Sequence, residues 1–236
     1  MNQVLLFKED FIGDVGRVRL EGRRLRHILD VHMASIGDEL MVGLAGGKTG
    51  LGRVTFISKE FLEMDVRLDG APPAPLPLTL ILALPRPKVL KRVIMSASSM
   101  GIKKIMLINA YRVEKSYWQS PVLSGEDLNK QLVLGLEQAR DTILPEIMLR
   151  PLFKPFVEDE LPDIIKGAVP VLAHPAASVP CPRNVCGHVV LAVGPEGGFI
   201  PYEIEKLVSC GFSAVTIGDR ILTVETAVPF IVSRLF

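Results

Sequence analysis

Apolar positions along the chain follow two patterns, and the change falls at a proline-rich stretch. Before it, short apolar runs alternate with polar residues or carry β-branched ones, with Gly and Asp between them. VLLF (4–7), GRVRL (16–20), ELMVGL (39–44), GLGRVTFIS (50–58) and FLEMDVRL (61–68) each predict a strand. AGGKTG (45–50) predicts a hairpin turn. One segment breaks the pattern. RRLRHILDVHM (23–33) sets Leu25, Ile28, Leu29 and His32 on one helical face. Many short strands with one helix predict a small, partly closed β-barrel over residues 1–70. APPAPLP (71–77) holds four prolines in seven residues, so it predicts a semi-stiff linker.

After the linker, buried-type strands alternate with amphipathic helices. TLILAL (79–84), KIMLIN (104–109), AVPVLAH (168–174), HVVLAV (188–193) and SAVTIG (213–218) predict strands. Helices are predicted over 88–101, 128–140, 201–212 and 224–236, the last with Pro229 as a kink risk. Glu137, Gln138 and Arg140 lie on the second of these and read as a solvated face, with an intersubunit polar contact as the alternative. The alternation places residues 78–236 in the α/β class, as a mainly parallel sheet with helices on both faces. Ligands of such sheets sit at the carboxyl ends of the strands.

Composition narrows the class. The chain has 236 residues, 48% hydrophobic and 22% charged, which excludes collagen-like, disordered and coiled-coil readings. No apolar run reaches about 18 residues, so no membrane partner is expected. The N-terminus lacks the basic and apolar regions of a secretory leader. Three cysteines, Cys181, Cys186 and Cys210, fit a reducing compartment, and a cytoplasmic location is expected. The net charge of +1 gives no global attraction to nucleic acid, so any such contact must be local.

Several motifs are decoys. GLAGGKT (43–49) ends like a phosphate loop, but the required first glycine is Val42 and the segment lies between strands. No dinucleotide fingerprint or nucleophile elbow occurs. Cys181 and Cys186, with His174 and His188 as imagined partners, have irregular spacing, and no metal is expected. The informative feature is a set of three loops after three strands. One ends Leu172-Ala173-His174-Pro175. The second is Gly194-Pro195-Glu196-Gly197-Gly198-Phe199. The third runs Ile217-Gly218-Asp219-Arg220-Ile221-Leu222 and on to Glu225. Three such loops at one sheet edge point to one small-molecule site.

GPEGGF with Glu203 four residues on, together with G-x-R-I-L-x-x-E-T-A, resembles the ribosomal RNA small subunit methyltransferase E family. LRHILDVHMASIGDEL (25–40), ALPRPKVLKRVIMSASSMGIKKI (83–105), LEQAR (136–140) and the HP of 174–175 extend the resemblance over nearly the whole chain. It implies an enzyme of the SPOUT superfamily that methylates N3 of a uridine in 16S rRNA within the small ribosomal subunit. Residues 1–70 would be a PUA-like RNA-binding barrel, and residues 78–236 a domain threaded as a trefoil knot. S-adenosylmethionine would be the cofactor and a homodimer the assembly.

On that resemblance the cofactor-binding candidates are Leu172, His174, Gly194, Glu196, Gly197, Gly198, Ile217, Gly218, Ile221 and Leu222. Arg220 and Glu225 are the catalytic candidates, Arg220 as the cation that stabilises a developing uracil anion. Two basic clusters, represented by Arg23, Arg24 and Arg26 and by Arg86 and Lys88, are the RNA-binding candidates. The chain departs from the family pattern at Asp30, Arg86, Ile200, Asp219, Thr223 and Val224. A different acceptor RNA, or a non-catalytic RNA-binding role, therefore stays an alternative.

Overall fold

The computed structural model describes residues 2–13 and 16–236. Two compact units emerge: Met1–Ala74 with Val133–Leu144, and Pro75–Leu132 with Pro145–Phe236.

In the first unit, six strands form one sheet: β1 (Val4–Leu6), β2 (Phe11–Ile12), β3 (Arg17–Leu20), β4 (Glu39–Leu44), β5 (Thr49–Ile57) and β6 (Leu62–Gly70), in the order β1-β4-β5-β6-β3-β2. Only β1 and β4 run parallel; the other pairs are antiparallel. Alternation decides the faces. In β3, Val18 and Leu20 are fully buried while Arg17 and Arg19 are exposed. Helix α1 (Gly22–His27) lays Leu25 on that core. The helix predicted over 23–33 widens after His27 into a π turn, Ile28–His32. It stops where Met33 takes a left-handed φ of 49°. The glycine-rich segment is a hairpin turn joining β4 to β5, as its surroundings required.

The second unit carries β7 (Leu76–Ala83), β8 (Ile102–Ile108), β9 (Glu146–Arg150), β10 (Val169–Ala173), β11 (Val179–Pro180), β12 (Val189–Val193) and β13 (Ser213–Thr216). They form a wholly parallel sheet in the order β11-β13-β10-β12-β7-β8-β9. Its helices are α2 (Pro87–Ser99), the start of α3 (Gly125–Ala139), the short α4 (Phe153–Pro155) and α5 (Leu161–Ile164), α6 (Pro201–Ser209) and α7 (Val224–Leu235). Leu80, Ile81, Leu82 and Ala83 of β7 are all fully buried, as a strand covered on both faces demands. Helix α7 passes through Pro229 without interruption. No helix among the described residues is long and apolar enough to cross a membrane.

Three expectations need correcting. The linker is shorter than residues 71–77. Strand β7 already starts at Leu76, where the backbone of Leu76 donates to Gly101, and Pro77 sits near its start, where a missing N–H is tolerated. The first unit does not end at residue 70, because Val133–Leu144 belongs to it. There Val133 and Leu136 pack on Leu5, and the Glu137 carbonyl accepts from the backbone of both Asn2 and Gln3 at 3.0 Å. The α3 face read as solvated is in part interior. Glu137 is 1% exposed and receives both Nη atoms of Arg23, at 2.9 and 3.0 Å. Strands β9 and β11 and the helical turns over 153–164 were not predicted at all.

Arg24 belongs to the same interior. Its guanidinium grips both oxygens of Asp10, at 2.5 and 2.6 Å, and donates to the Leu5 carbonyl at 2.9 Å. With both partners mostly covered, removing one leaves a charge without its partner. Arg24→Ala should lower unfolding free energy in urea by about 3 kcal/mol. Arg26→Ala, at an exposed position one residue from Leu25, should change it by less than about 0.5 kcal/mol. Equal effects would show that the Arg24 pair is not structural.

A cleft at the carboxyl ends of three strands

Strands β10, β12 and β13 are neighbours in the sheet, with Ala173 opposite both Val193 and Val215. Being parallel, they deliver the three loops to one edge. There the loops and the first turns of α7 enclose a cleft of about 350 Å³. That volume lies at the small end of ligand sites.

Eight of the ten cofactor-binding candidates line it. His174 comes from the first loop, and Gly194, Glu196 and Gly198 from the second. Ile217, Gly218, Ile221 and Leu222 come from the third. The other two are placed elsewhere. Leu172 lies two residues before the loop, inside β10, and is fully buried in the core. Gly197 turns outward, and its carbonyl accepts from Arg112. Two glycines have a physical reason. Gly218 has φ +128°, a left-handed conformation that side chains disfavour. At Gly194, a Cβ would lie 3.1 Å from the backbone nitrogen of Phe199, so the loop could not close as tightly.

The two catalytic candidates separate. Arg220 lines the cleft, is exposed, and has no ion pair among the described residues. Glu225 does not line it. It turns to α2, where Arg92 lies 3.5 Å from its Oε1. Its Oε2 is buried without a hydrogen-bond partner. Sequence reasoning gave Arg86 to an RNA-facing cluster, yet it also lines the cleft. Its backbone N–H donates to Glu196 Oε1 at 3.0 Å, and its Nε lies 3.4 Å from the same oxygen. Lys88, two residues on, is exposed. Of the first basic cluster, Arg23 and Arg24 are committed to Glu137 and Asp10, and Arg26 is exposed.

Sequence reasoning missed the α7 wall, formed by Val224, Ala227 and Ile231. Their i, i+3, i+7 spacing was a usable signal. It also missed how the glycine loop is braced. Glu203 is 3% exposed, and its Oε2 accepts from the backbone of Ile200 at 2.9 Å. Ile200 has no side-chain acceptor, so only the Glu203 half of a capping box survives. The other oxygen, Oε1, accepts from the backbone of Tyr111 at 2.6 Å. One buried carboxylate thus ties the loop after β8 to the start of α6. Nearby, Tyr117 has its phenol pushed above its ordinary pKa, first by burial and then by the negative charge and hydrogen bond of Glu114. It is a neutral donor at physiological pH.

The cleft pairs an apolar wall with few polar groups. Ile221 is 84% exposed, so a large apolar side chain faces the opening with little over it. Among the described residues, no group of three or more His, Cys, Asp or Glu is arranged to hold a metal ion.

The sequence pattern of the RNA methyltransferase domain family matches residues 72–236. The curated ribosomal RNA small subunit methyltransferase E of Treponema pallidum is 29% identical over 232 residues, covering 96% of this chain and 87% of its own. Among solved structures, a ribosomal RNA small subunit methyltransferase E from Neisseria gonorrhoeae, bound to S-adenosyl methionine, aligns with TM-score 0.70 and 21% identity over 96% of this chain and 93% of its own. A putative methyltransferase from Legionella pneumophila, in complex with the same cofactor, aligns with TM-score 0.73 and 20% identity over 99% and 96%. At these identities the two structures establish a shared fold.

The Glu203 brace makes a checkable demand. Glu203→Ala strands two backbone N–H groups and should cost about 3 kcal/mol of stability in urea unfolding. Glu203→Gln keeps one acceptor oxygen and should cost roughly half as much. An alanine variant as stable as the parent would mean that the carboxylate braces nothing.

Proposed function

The chain belongs to the RNA methyltransferase domain family, and on that premise we propose that it transfers a methyl group from S-adenosylmethionine to N3 of a uridine in 16S rRNA of the small ribosomal subunit. The observation that carries this reading is the convergence of three strand-end loops on one cleft, with Arg220 at its edge. The same reading takes the protein as a cytoplasmic homodimer, its first unit as a PUA-like RNA holder and its second as a knotted SPOUT domain. Strand β13, last in sequence, lies between β10 and β11, and that non-sequential order is in keeping with a threaded chain.

The residues present fit the cofactor. Ile217, Ile221 and Leu222 offer an apolar wall that would take a flat adenine. Glu196 is a carboxylate whose contacts with Arg86 both fall on Oε1, and it would accept from a ribose hydroxyl through Oε2. The glycine loop lets backbone approach the ligand without a Cβ in the way. When bound, S-adenosylmethionine supplies an electrophilic methyl group on a sulfonium, so the enzyme needs no covalent nucleophile. The task left to this chain is orientation and charge. Holding donor and acceptor in line is a proximity effect. As the N3–methyl bond forms and the sulfur–methyl bond breaks, with release of S-adenosylhomocysteine, the N3 proton passes to solvent, and Arg220 would set a cation beside the uracil anion that develops. Arg26 and Lys88, both exposed, are the cations that would meet phosphates.

Two measurements test the reading together. Calorimetric titration should show micromolar binding of S-adenosylmethionine. Incubation with undermodified small subunits should then yield N3-methyluridine, identified by mass spectrometry of the digested rRNA. Arg220→Ala should reduce kcat about 100-fold with donor affinity unchanged. A different methylated nucleoside would redirect the acceptor assignment, and donor binding without any transfer would sink the catalytic one.

A further inference from the structure

The loop after β8 is the part of the cleft's surroundings that the proposed chemistry leaves unused. It holds Tyr111, whose side chain is unusually open for a large aromatic residue, at 79% exposure. The ring does not belong to a slack segment. Its own backbone N–H is held at 2.6 Å by the buried Glu203 carboxylate, and the next residue, Arg112, donates to the carbonyl of Gly197. On either side, Ala110 and Val113 are buried at 3% and 7%. Further along, the Trp118 indole donates to Asn109 Oδ1 at 3.0 Å and closes the loop on itself. The backbone beneath the ring is therefore tied to the glycine loop that lines the cleft and to the helix after it, while the ring stands in solvent.

We propose that Tyr111 is the surface on which an unpaired base of the RNA substrate stacks as its neighbour enters the cleft. The proposal rests on the methyltransferase reading for its choice of ligand, and on the loop's geometry for its choice of residue. Any base offers a π face to an aromatic ring, so stacking of this kind tolerates sequence and favours single strands. A braced tyrosine has only two side-chain torsions to order on binding, which keeps the entropic cost small. The flanking charge suits a nucleic acid. Arg112 and Lys115 are exposed cations. Arg112 is engaged by a carbonyl rather than a carboxylate, so its charge is not cancelled there. One acid, Glu114, lies between them and accepts from the Tyr117 phenol, so the two cations outnumber it. Along the chain the apolar neighbours Ala110 and Val113 are buried, so within residues 110–115 the ring is the apolar surface presented, between the exposed Arg112 and Lys115.

The test uses the full chain and three variants. Affinity for a single-stranded uridine decamer is measured by filter binding at fixed ionic strength, beside calorimetric titration with S-adenosylmethionine and size-exclusion elution. Tyr111→Ala should raise the Kd for the decamer about ten-fold. Tyr111→Trp and Tyr111→Phe should stay within about two-fold of the parent, because each keeps a ring. Donor affinity and elution volume should not change in any variant. Parent-like RNA binding by Tyr111→Ala overturns the proposal, and so does a parent protein that does not bind the decamer. A shifted elution volume in Tyr111→Ala also overturns it, by assigning the ring to a contact between copies of the chain. Loss of donor binding in the parent, with the Tyr111 effect intact, would instead overturn the methyltransferase reading and leave the stacking residue in place.

Discussion

Seven strands that all run the same way force every loop following a strand to one edge of the sheet. Because β10, β12 and β13 lie side by side there, their three loops meet, though the first and last are separated by more than 40 residues of chain. An antiparallel neighbour among them would send one loop to the far edge, and the cleft would lose a wall. The apolar runs of β7, β10 and β12 serve that constraint, since a wholly parallel sheet survives only when both its faces are covered. The cleft is a consequence of how the sheet is covered and ordered.

Within that frame, charges divide between architecture and surface. The sequence offers Arg23 and Arg24 as RNA-binding cations and Glu137 as part of a solvated face, yet each is engaged in an ion pair whose acid is buried. Burying such groups is costly unless they are paired: both Asp10 oxygens accept from Arg24, while Glu137 accepts from Arg23 through Oε1 and its buried Oε2 has the Arg23 charge at 2.9 Å without a hydrogen bond. Glu203 follows the same logic with backbone N–H groups in place of cations. Arg26, Lys88 and Arg220 are left at the surface, where a cation keeps its charge for a ligand. The separation narrows the basic clusters from a stretch of sequence to individual side chains.

The glycine loop shows how rigidity and openness are combined. Its glycines remove side chains from the cleft, which would ordinarily leave the segment slack. Anchors at its rim and behind it compensate: Glu196 with Arg86 in the cleft lining, Gly197 with Arg112, and Glu203 through the start of α6. Each comes from a different part of the second unit. A cleft built this way can offer backbone to a ligand and still hold its shape.

The sequence by itself determined the longer strands and helices and their alternation, the parallel class of the second unit and the convergence of the three loops on one site. Those follow from periodicity and from glycine spacing, which are local; the short β2, β9 and β11 and the turns over 153–164 carried too little periodicity to be read. The sequence did not determine that Leu172 faces the core, that Glu225 faces α2, or that Val133–Leu144 belongs with the N-terminal strands. Nor did it show that Tyr111 is braced by a carboxylate 92 positions away. Each of those depends on which distant residue arrives to pair with a side chain or to cover it. Pairing partners far apart in sequence leave no periodic trace, so only the folded chain decides which charges are interior, which glycine faces the ligand and which ring remains in solvent.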